Sequence, residues 1–164
     1  MTQSDQSSYR YWLTRHLSVL GNGGTVLFVM LNPSTADQSQ DDPTIRRCMG
    51  FARDWGYADL KVANLYALRS TDPRGLFESN DPVGVDNLPT VDRLAAMADE
   101  IIAAWGATPH PGGQDHVRQV LDILSWHQQV RCLGVTAGGH PRHPLYVKKD
   151  AARIPLTHRL PVAA

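Results

Sequence analysis

Residues 25–34 read Thr-Val-Leu-Phe-Val-Met-Leu-Asn-Pro-Ser, and this stretch decides the fold class. From Val26 to Leu31 the run is apolar with no polar alternation, which is typical of a strand covered on both faces. Asn32 and Pro33 end the strand, because proline fixes its own backbone angle and has no N–H to donate to a neighbour. The stretch therefore predicts a buried strand of a sheet that carries helices on both sides.

Helical and extended patterns alternate along the rest of the chain. Asp42 and Pro43 fit the N-cap and first residue of a helix that ends at Gly56. Further helices are predicted over residues 9–20, 90–99 and 115–127, and further strands over residues 60–65, 100–105 and 130–135. This alternation predicts an α/β fold, a three-layer α/β/α sandwich around a central, mostly parallel four-stranded sheet.

The length of 164 residues suits one domain with a substantial core. We expect a flexible tail over residues 1–8, a single α/β domain over residues 9–150 and a C-terminal extension over residues 151–164. A loop rich in Pro, Gly, Asp and Asn is predicted over residues 67–88. Loops of this length in small domains often serve function.

Composition sets limits on the partners. Sixteen basic and 16 acidic residues leave no net charge, so any nucleic-acid partner would need a local basic patch. The polar N-terminus has no signal-peptide pattern and no apolar run reaches the length of a membrane helix, so we expect a cytoplasmic monomer without membrane contact. Cys48 and Cys132 fall in apolar patterns and are predicted to be buried thiols.

Polar residues follow the predicted strands. Ligands of open parallel sheets bind beyond the carboxyl ends of the strands, which makes Asn32 and Asn64 candidates for a site. The Asn32 amide can hold a water or a ligand, although Asn-Pro also simply ends strands. Asn64 interrupts an apolar run, where a buried amide needs partners, and it is either a ligand-binding or a structural residue.

The loop after the last predicted strand contains His140, Arg142 and His143, with Lys148 and Lys149 close behind. An imidazole can stabilise negative charge that develops on an oxygen atom. The alternative interpretation is that the loop is a surface turn without a catalytic role. The sequence leaves open whether His140 or His143 faces a pocket.

Metal binding is an alternative role for the histidines. Candidate ligands are His110, His116, His140, His143, Asp37 and Asp41, but no compact motif such as His-Glu-x-x-His is present. Phosphate-loop, dinucleotide-binding and nucleophile-elbow motifs are also absent from the sequence. We therefore expect neither a metal nor another cofactor.

Five strings resemble an uncharacterised bacterial family, a domain of unknown function, over residues 25–149. They are MLNPSTAD at 30–37, DDPTIRRC at 41–48, NLYALRSTDP at 64–73, AWG at 104–106 and HPLY at 143–146. More distantly, the layout resembles the uracil-DNA glycosylase superfamily. Residues 28–33 are similar to the motif that positions the hydrolytic water in those enzymes, and Asn32 falls on the water-positioning residue.

The superfamily resemblance implies further roles. Asn64 would recognise the base, His143 would face a base carbonyl, and Leu145 would enter the duplex as a wedge, with His140-Pro141 as a competing match. No aromatic stands at residues 43–45 to stack on the base, so the substrate base is left open. The expected catalytic residues are Asn32 and His143. The expected substrate-binding residues are Asn64, Pro33, Ser34, His140, Thr44 and Ile45. The expected nucleic-acid contacts are Arg142, Leu145, Lys148, Lys149 and Arg69.

Three functions follow as hypotheses. The first is a DNA glycosylase-like hydrolase that binds a flipped base and cleaves its N-glycosidic bond. The second is a nucleotide or nucleic-acid binding module on the same fold, without catalysis. The third is a small-molecule hydrolase that uses the Asp37/Asp41 loop and His143.

Overall fold

The computed structural model describes residues 8–18, 23–34, 36, 39–107 and 113–157. Two 3₁₀ helices, Pro73–Glu78 and Pro144–Tyr146, join the regular elements. The strands and helices, in chain order, are β1 (Leu13–His16), β2 (Thr25–Met30), α1 (Pro43–Asp54), β3 (Asp59–Asn64), α2 (Asn87–Met97), β4 (Glu100–Ala103), α3 (Gln114–His127), β5 (Val130–Cys132) and β6 (Ile154–Pro155).

These strands form one mixed sheet in the order β1-β3-β2-β4-β5-β6. The four strands predicted from the sequence are the central ones, and each is parallel to its neighbours among the four. The outer strands β1 and β6 pair antiparallel with β3 and β5. The α/β class is thus confirmed, whereas the prediction of four strands is corrected to six.

The N-terminal segment is an edge strand, so the helix predicted over residues 9–20 is wrong. Leu13 pairs with Val62 of β3 and is fully buried. Upstream, Tyr9 bridges Leu68. The helical pattern of apolar residues covers only a short stretch here. Pairing with the open edge of β3 outweighs so weak a local preference for helix.

At the other edge, the segment that the sequence suggested as a C-terminal extension adds β6 to the sheet. Cys132 and Arg131 of β5 pair with β6. Nearby, the Arg153 guanidinium donates to the buried Glu100 carboxylate at 2.6 Å. Residues 151–156 therefore pack as part of the domain.

The core has one cluster on each face of the sheet. Helix α1 covers the face that presents Val26, Phe28 and Met30, while α2 and α3 cover the face that presents Leu27 and Val29. Both cysteines are buried and free, as predicted. The side chains that α1 contributes are Ile45, Cys48, Phe51 and Ala52.

The start of α1 agrees with the sequence prediction. Asp42 is the N-cap, its carboxylate accepts a hydrogen bond from the Ile45 N–H at 2.8 Å, and Pro43 is the first helical residue. The loop predicted over residues 67–88 is only partly irregular, because it contains the first 3₁₀ helix and the start of α2. Within the described residues, no helix has the length and apolar character needed to cross a bilayer.

Truncation of Leu13 tests whether β1 is an integral strand. Leu13→Ala is expected to lower the free energy of unfolding by about 2–5 kcal/mol, as for other buried leucines. Met97→Ala is the matched control, since the Met97 side chain is 55 % exposed at the end of α2. Urea denaturation of both variants gives the comparison. A loss at Leu13 no larger than that at Met97 would contradict the edge-strand assignment.

Candidate functional site

A cavity of about 540 Å³ lies beyond the carboxyl ends of the central strands. The chain passes from β2 to β3 on one side and returns to β4 on the other, so the strand order reverses beside β2. Open α/β sheets bind ligands at such a reversal, and the volume is in the usual range for small-molecule sites. The lining residues are Arg10, Met30, Leu31, Asn32, Ser34, Asp42, Thr44, Ile45, Val62, Asn64, Ser70, Thr71, Pro73, Trp105, Gly106, Ala107, Thr136, Arg142, His143 and Tyr146.

Asn32 lines this cavity, and two backbone carbonyls hold its side-chain amide. Its Nδ2 donates to the carbonyl of Pro33 at 3.0 Å and to the carbonyl of Ser70 at 2.8 Å. Because both amide protons are used in this way, the side chain is held in one orientation and Oδ1 is left as an acceptor. An acceptor of this kind suits the proton of a water molecule or an N–H of a ligand.

Asn64 is the last residue of β3 and lies deep in the cavity wall. It is 2 % exposed, and its Nδ2 has no hydrogen-bond partner among the described residues. Val62 and Met30, which share its face of the sheet, line the same cavity. A buried amide donor without a partner costs stability, and a ligand that carries an acceptor would satisfy it.

The loop after β5 holds His143 at the cavity. The loop folds back on itself, with the Arg142 N–H bonded to the Gly134 carbonyl at 2.9 Å. The Gly106 N–H, just after β4, donates to the Pro141 carbonyl at 2.8 Å. Gly106 has φ +71°, where a side chain would be strained, so glycine is suited to this close approach.

The His143 ring is a hydrogen-bond donor at Nε2. Its Nδ1 accepts the Leu145 N–H at 3.2 Å, which places the proton of the neutral ring on Nε2. Burial lowers the pKa of His143, and the nearby Asp42 carboxylate opposes that shift. The imidazole is therefore neutral at pH 7 and able to donate without carrying a charge.

Arg47 of α1 binds the backbone that follows His143. Its guanidinium donates to the carbonyl of Pro144 at 3.3 Å and to that of Val147. The ring of His143 packs against that of Tyr146 with centroids 5.5 Å apart. The 3₁₀ turn that carries His143 is thus fixed to α1 on one side and to the end of β4 on the other.

Sequence reasoning missed the role of Arg10. It is 3 % exposed and lines the cavity, with Nη1 bonded to the carbonyl of Ala36 and the backbone N–H bonded to that of Ala67. The only signal was an arginine inside an apolar pattern, and the helix prediction obscured it. Other lining residues outside the predicted set include Ser70, Thr71, Trp105, Thr136 and Tyr146.

The cavity brings together seven of the predicted site residues, and His143 rather than His140 is the histidine that lines it. The His140 N–H instead bonds to the Thr136 hydroxyl at 3.2 Å. The seven are Asn32, Ser34, Thr44, Ile45, Asn64, Arg142 and His143. The predicted residues that do not line it are Pro33, His140, Arg69, Leu145, Lys148 and Lys149.

Leu145 and Lys149 instead line a separate groove of about 460 Å³ beside α1. Leu145 is 43 % exposed there, and Arg46 and Arg47 lie on the opposite, α1 side. The turn that carries His143 forms the divide between groove and cavity. Three basic side chains against Asp54 give the groove a net positive charge, in a chain that has none overall.

Among the described residues, the predicted metal ligands are not grouped into a metal site. Asp41 is held by Arg15 at 2.6 Å and does not line the cavity, and Asp37 and His110 lie outside the described residues. His116 bonds to a backbone carbonyl. Over the part of the chain that the structure describes, no three His, Cys, Asp or Glu residues are grouped to hold a metal ion.

Comparison with known proteins identifies the family of the chain. A family model described as "Protein of unknown function (DUF1643)" matches residues 10–145. The chain belongs to this family. The match begins at Arg10 and so includes β1 together with every residue that lines the cavity, apart from Tyr146. No curated protein and no solved structure matches the chain.

Proposed function

We propose that this DUF1643 protein binds a nucleobase in the cavity and hydrolyses the N-glycosidic bond that joins the base to DNA. One observation carries the proposal: Asn32, Asn64 and His143, from three distant stretches of the chain, line a single cavity. They offer one acceptor and two donors to a ligand. The edge of a nucleobase presents carbonyl oxygens and N–H groups side by side, which this set complements.

In the proposed reaction, Asn32 Oδ1 accepts a hydrogen bond from a water molecule and orients it toward the anomeric carbon of the sugar. The C–O bond forms as the C–N bond breaks, and the bonding electron pair leaves with the base. An amide is no general base, so the water loses its proton to solvent after attack. The rate enhancement must therefore come mainly from stabilising the departing base.

His143 supplies that stabilisation. Its Nε2–H donates to the base oxygen on which negative charge grows, and burial keeps the ring neutral, so the donor is ready at pH 7. Asn64 Nδ2 donates to a second acceptor on the base edge. The base would first be flipped out of the duplex at a cost of about a few kcal/mol, repaid by these contacts.

The proposed nucleic-acid contacts come from the cavity and from the groove beside α1. Arg142 lines the cavity, and Lys149 and Leu145 line the groove. Lys148, next to Lys149 in the chain, is exposed. Phosphate contacts from such side chains position the strand and carry no sequence information. Arg69 lines neither the cavity nor the groove. Its backbone N–H bonds to the Ser8 carbonyl, and it takes no part in the proposed contacts.

A gel assay for abasic sites tests the proposal. Duplexes carrying uracil, hypoxanthine, xanthine or a mismatched base are incubated with excess protein at low salt and then cleaved with alkali. We expect strand breaks at one or more of these bases with the wild-type protein and far fewer with His143→Ala at the same incubation time. Absence of abasic product from the whole panel would contradict hydrolysis.

The second candidate is recognition of a base or nucleotide without cleavage. The observation in its favour is that Asp42, the single carboxylate among the described residues that line the cavity, is committed to capping α1. No acid is then left to take a proton from water. Fluorescence anisotropy with the same duplexes separates the two candidates. Binding that His143→Ala and Asn32→Ala weaken, without abasic product, would favour recognition alone.

A further inference from the structure

The chain forms a two-residue bulge at the end of β3, beside Asn64. On the edge facing β1, Leu13 pairs with Val62 and Tyr9 bridges Leu68. Four residue steps separate Tyr9 from Leu13 and six separate Val62 from Leu68, so the chain that leaves β3 carries two extra residues between these points. Bulges bend a strand and re-aim its side chains, and they are frequent next to functional sites. We call residues 63–67 the bulge.

The carbonyl groups in this bulge accept hydrogen bonds from the buried Asn87 side chain and the partly buried His116 side chain. Asn87 Nδ2 donates to the carbonyls of Asn64 and Leu65, at 3.1 Å and 2.9 Å. His116 Nε2 contacts the Leu65 carbonyl at 2.5 Å. Asn87 begins α2 and His116 lies in the first turn of α3. The two helices behind the sheet thus hold the backbone that carries Asn64.

The opposite side of the bulge is held as well. The N–H of Leu65 donates to the Met30 carbonyl at 2.8 Å, and the N–H of Tyr66 donates to the Leu31 carbonyl at 3.0 Å. The Tyr66 ring packs against the His116 ring with centroids 5.1 Å apart. The backbone after Asn64 is therefore fixed between β2 on one side and α2 and α3 on the other.

This arrangement has an energetic cost. Asn87 is fully buried, and its Oδ1 has no partner among the described residues. Burial also lowers the pKa of His116, because a charged imidazolium would be poorly solvated there. Buried polar side chains are costly where apolar packing would serve, and a bulge interrupts the ladder. An irregularity kept at such a cost beside a cavity suggests a role in the site.

We infer that Asn87 and His116 are positioning residues that fix the bulge and so aim the Asn64 amide into the cavity. The inference rests on the proposed function in naming Asn64 as the residue that reads the base. It assigns a purpose to the Asn87 and His116 side chains, neither of which lines the cavity. Misplacement of a recognition group by about 1 Å can cost about 100-fold in rate, so such positioning has kinetic consequences.

The test uses NMR of the full chain, which reads the Asn64 side chain without any substrate. The Asn64 amide cross-peaks are assigned from their loss in Asn64→Leu. We expect Asn87→Leu and His116→Leu to shift these peaks. We expect His116→Gln, which keeps a donor near the position of Nε2, to restore them. Gln128→Leu is the matched control, because Gln128 also bonds a backbone carbonyl, that of Ala98, at a site remote from the cavity.

A kinetic arm separates positioning from stability. On a duplex that the wild type cleaves, Asn87→Leu and His116→Leu are expected to lower the single-turnover rate by about 10- to 100-fold. His116→Gln should stay within threefold (roughly the scatter of additive, independent effects). Gln128→Leu should lower the melting temperature without lowering the rate. Equal rate losses in Gln128→Leu would indicate a structural role alone.

The two arms keep the failure of this inference distinct from failure of the proposed function. If the wild type releases no base from any duplex, the proposed function fails, and the NMR arm still decides on positioning. Should either leucine variant not fold, the other carries the test. Asn64 amide cross-peaks that stay unshifted in the folded variants would overturn the inference.

Discussion

Replacement of His143 by alanine is expected to slow base release by about 100-fold or more under single-turnover conditions. The Nε2–H of the neutral ring is the donor assigned to the departing base, and loss of one such preorganised donor commonly costs that much. His140→Ala is the matched control, since His140 lies in the same loop and does not line the cavity. Its rate should stay close to that of the wild type.

The pH dependence gives an independent check on this role. Burial places the pKa of His143 below the ordinary value of 6.5, so the ring stays neutral down to mildly acid pH. The reaction needs the neutral form, because Nδ1 must accept from the Leu145 N–H while Nε2 donates to the base. The rate should therefore be flat through pH 7 and fall as the pH drops through the lowered pKa. A fall centred above pH 6.5, or equal losses at His140 and His143, would contradict the assignment.

Replacement of Asn64 by leucine is expected to stabilise the protein and to slow base release. Leucine has a similar size and removes a buried donor that lacks a partner among the described residues, so the free energy of unfolding should rise by about 1 kcal/mol or more. The same change removes a contact to the base, and the rate should fall by about 100-fold. Sites built around a hydrogen bond reject partners that lack it by factors of this size or larger.

Asn87→Leu is the matched control for the expected change in stability. Both asparagines are buried, with 2 % of Asn64 and none of Asn87 exposed, but Asn87 donates two hydrogen bonds to backbone carbonyls. Its replacement leaves those carbonyls without the donor and should destabilise by about 1–3 kcal/mol. Urea denaturation of the two variants, side by side, measures both signs. A destabilised Asn64→Leu would mean that the Asn64 amide serves the fold rather than a ligand.

Local signals in the sequence were sufficient to predict the central elements of the domain. The apolar run that ends at Asn32 predicted β2, and Asp42 with Pro43 predicted the start of α1. Both depend on interactions within a few residues, namely the burial of a continuous apolar stretch and the capping of the first helical turn. The parallel orientation of the central strands was predicted from the alternation of strands and helices.

The edges of the sheet were decided by tertiary contacts. Leu13 lies in a segment whose aromatic and aliphatic spacing suggested a helix, and only its pairing with Val62 makes it a strand. Ile154 pairs with Cys132. Its strand, β6, is only two residues long, which is too short for any periodic pattern. Edge strands this short draw their stability from the neighbour that they cover, which a local pattern cannot reveal.

The sequence by itself determined the chemistry available at the strand ends: an amide at Asn32, another at Asn64 and two candidate histidines in one loop. Only the tertiary structure decided that His143 lines the cavity, that Arg10 also lines it, and that the buried Asn64 donor has no partner in the part of the chain that the structure describes. The physical reason is distance along the chain. Residue types follow the local sequence, whereas convergence and hydrogen-bond satisfaction depend on how remote segments pack around a single sheet.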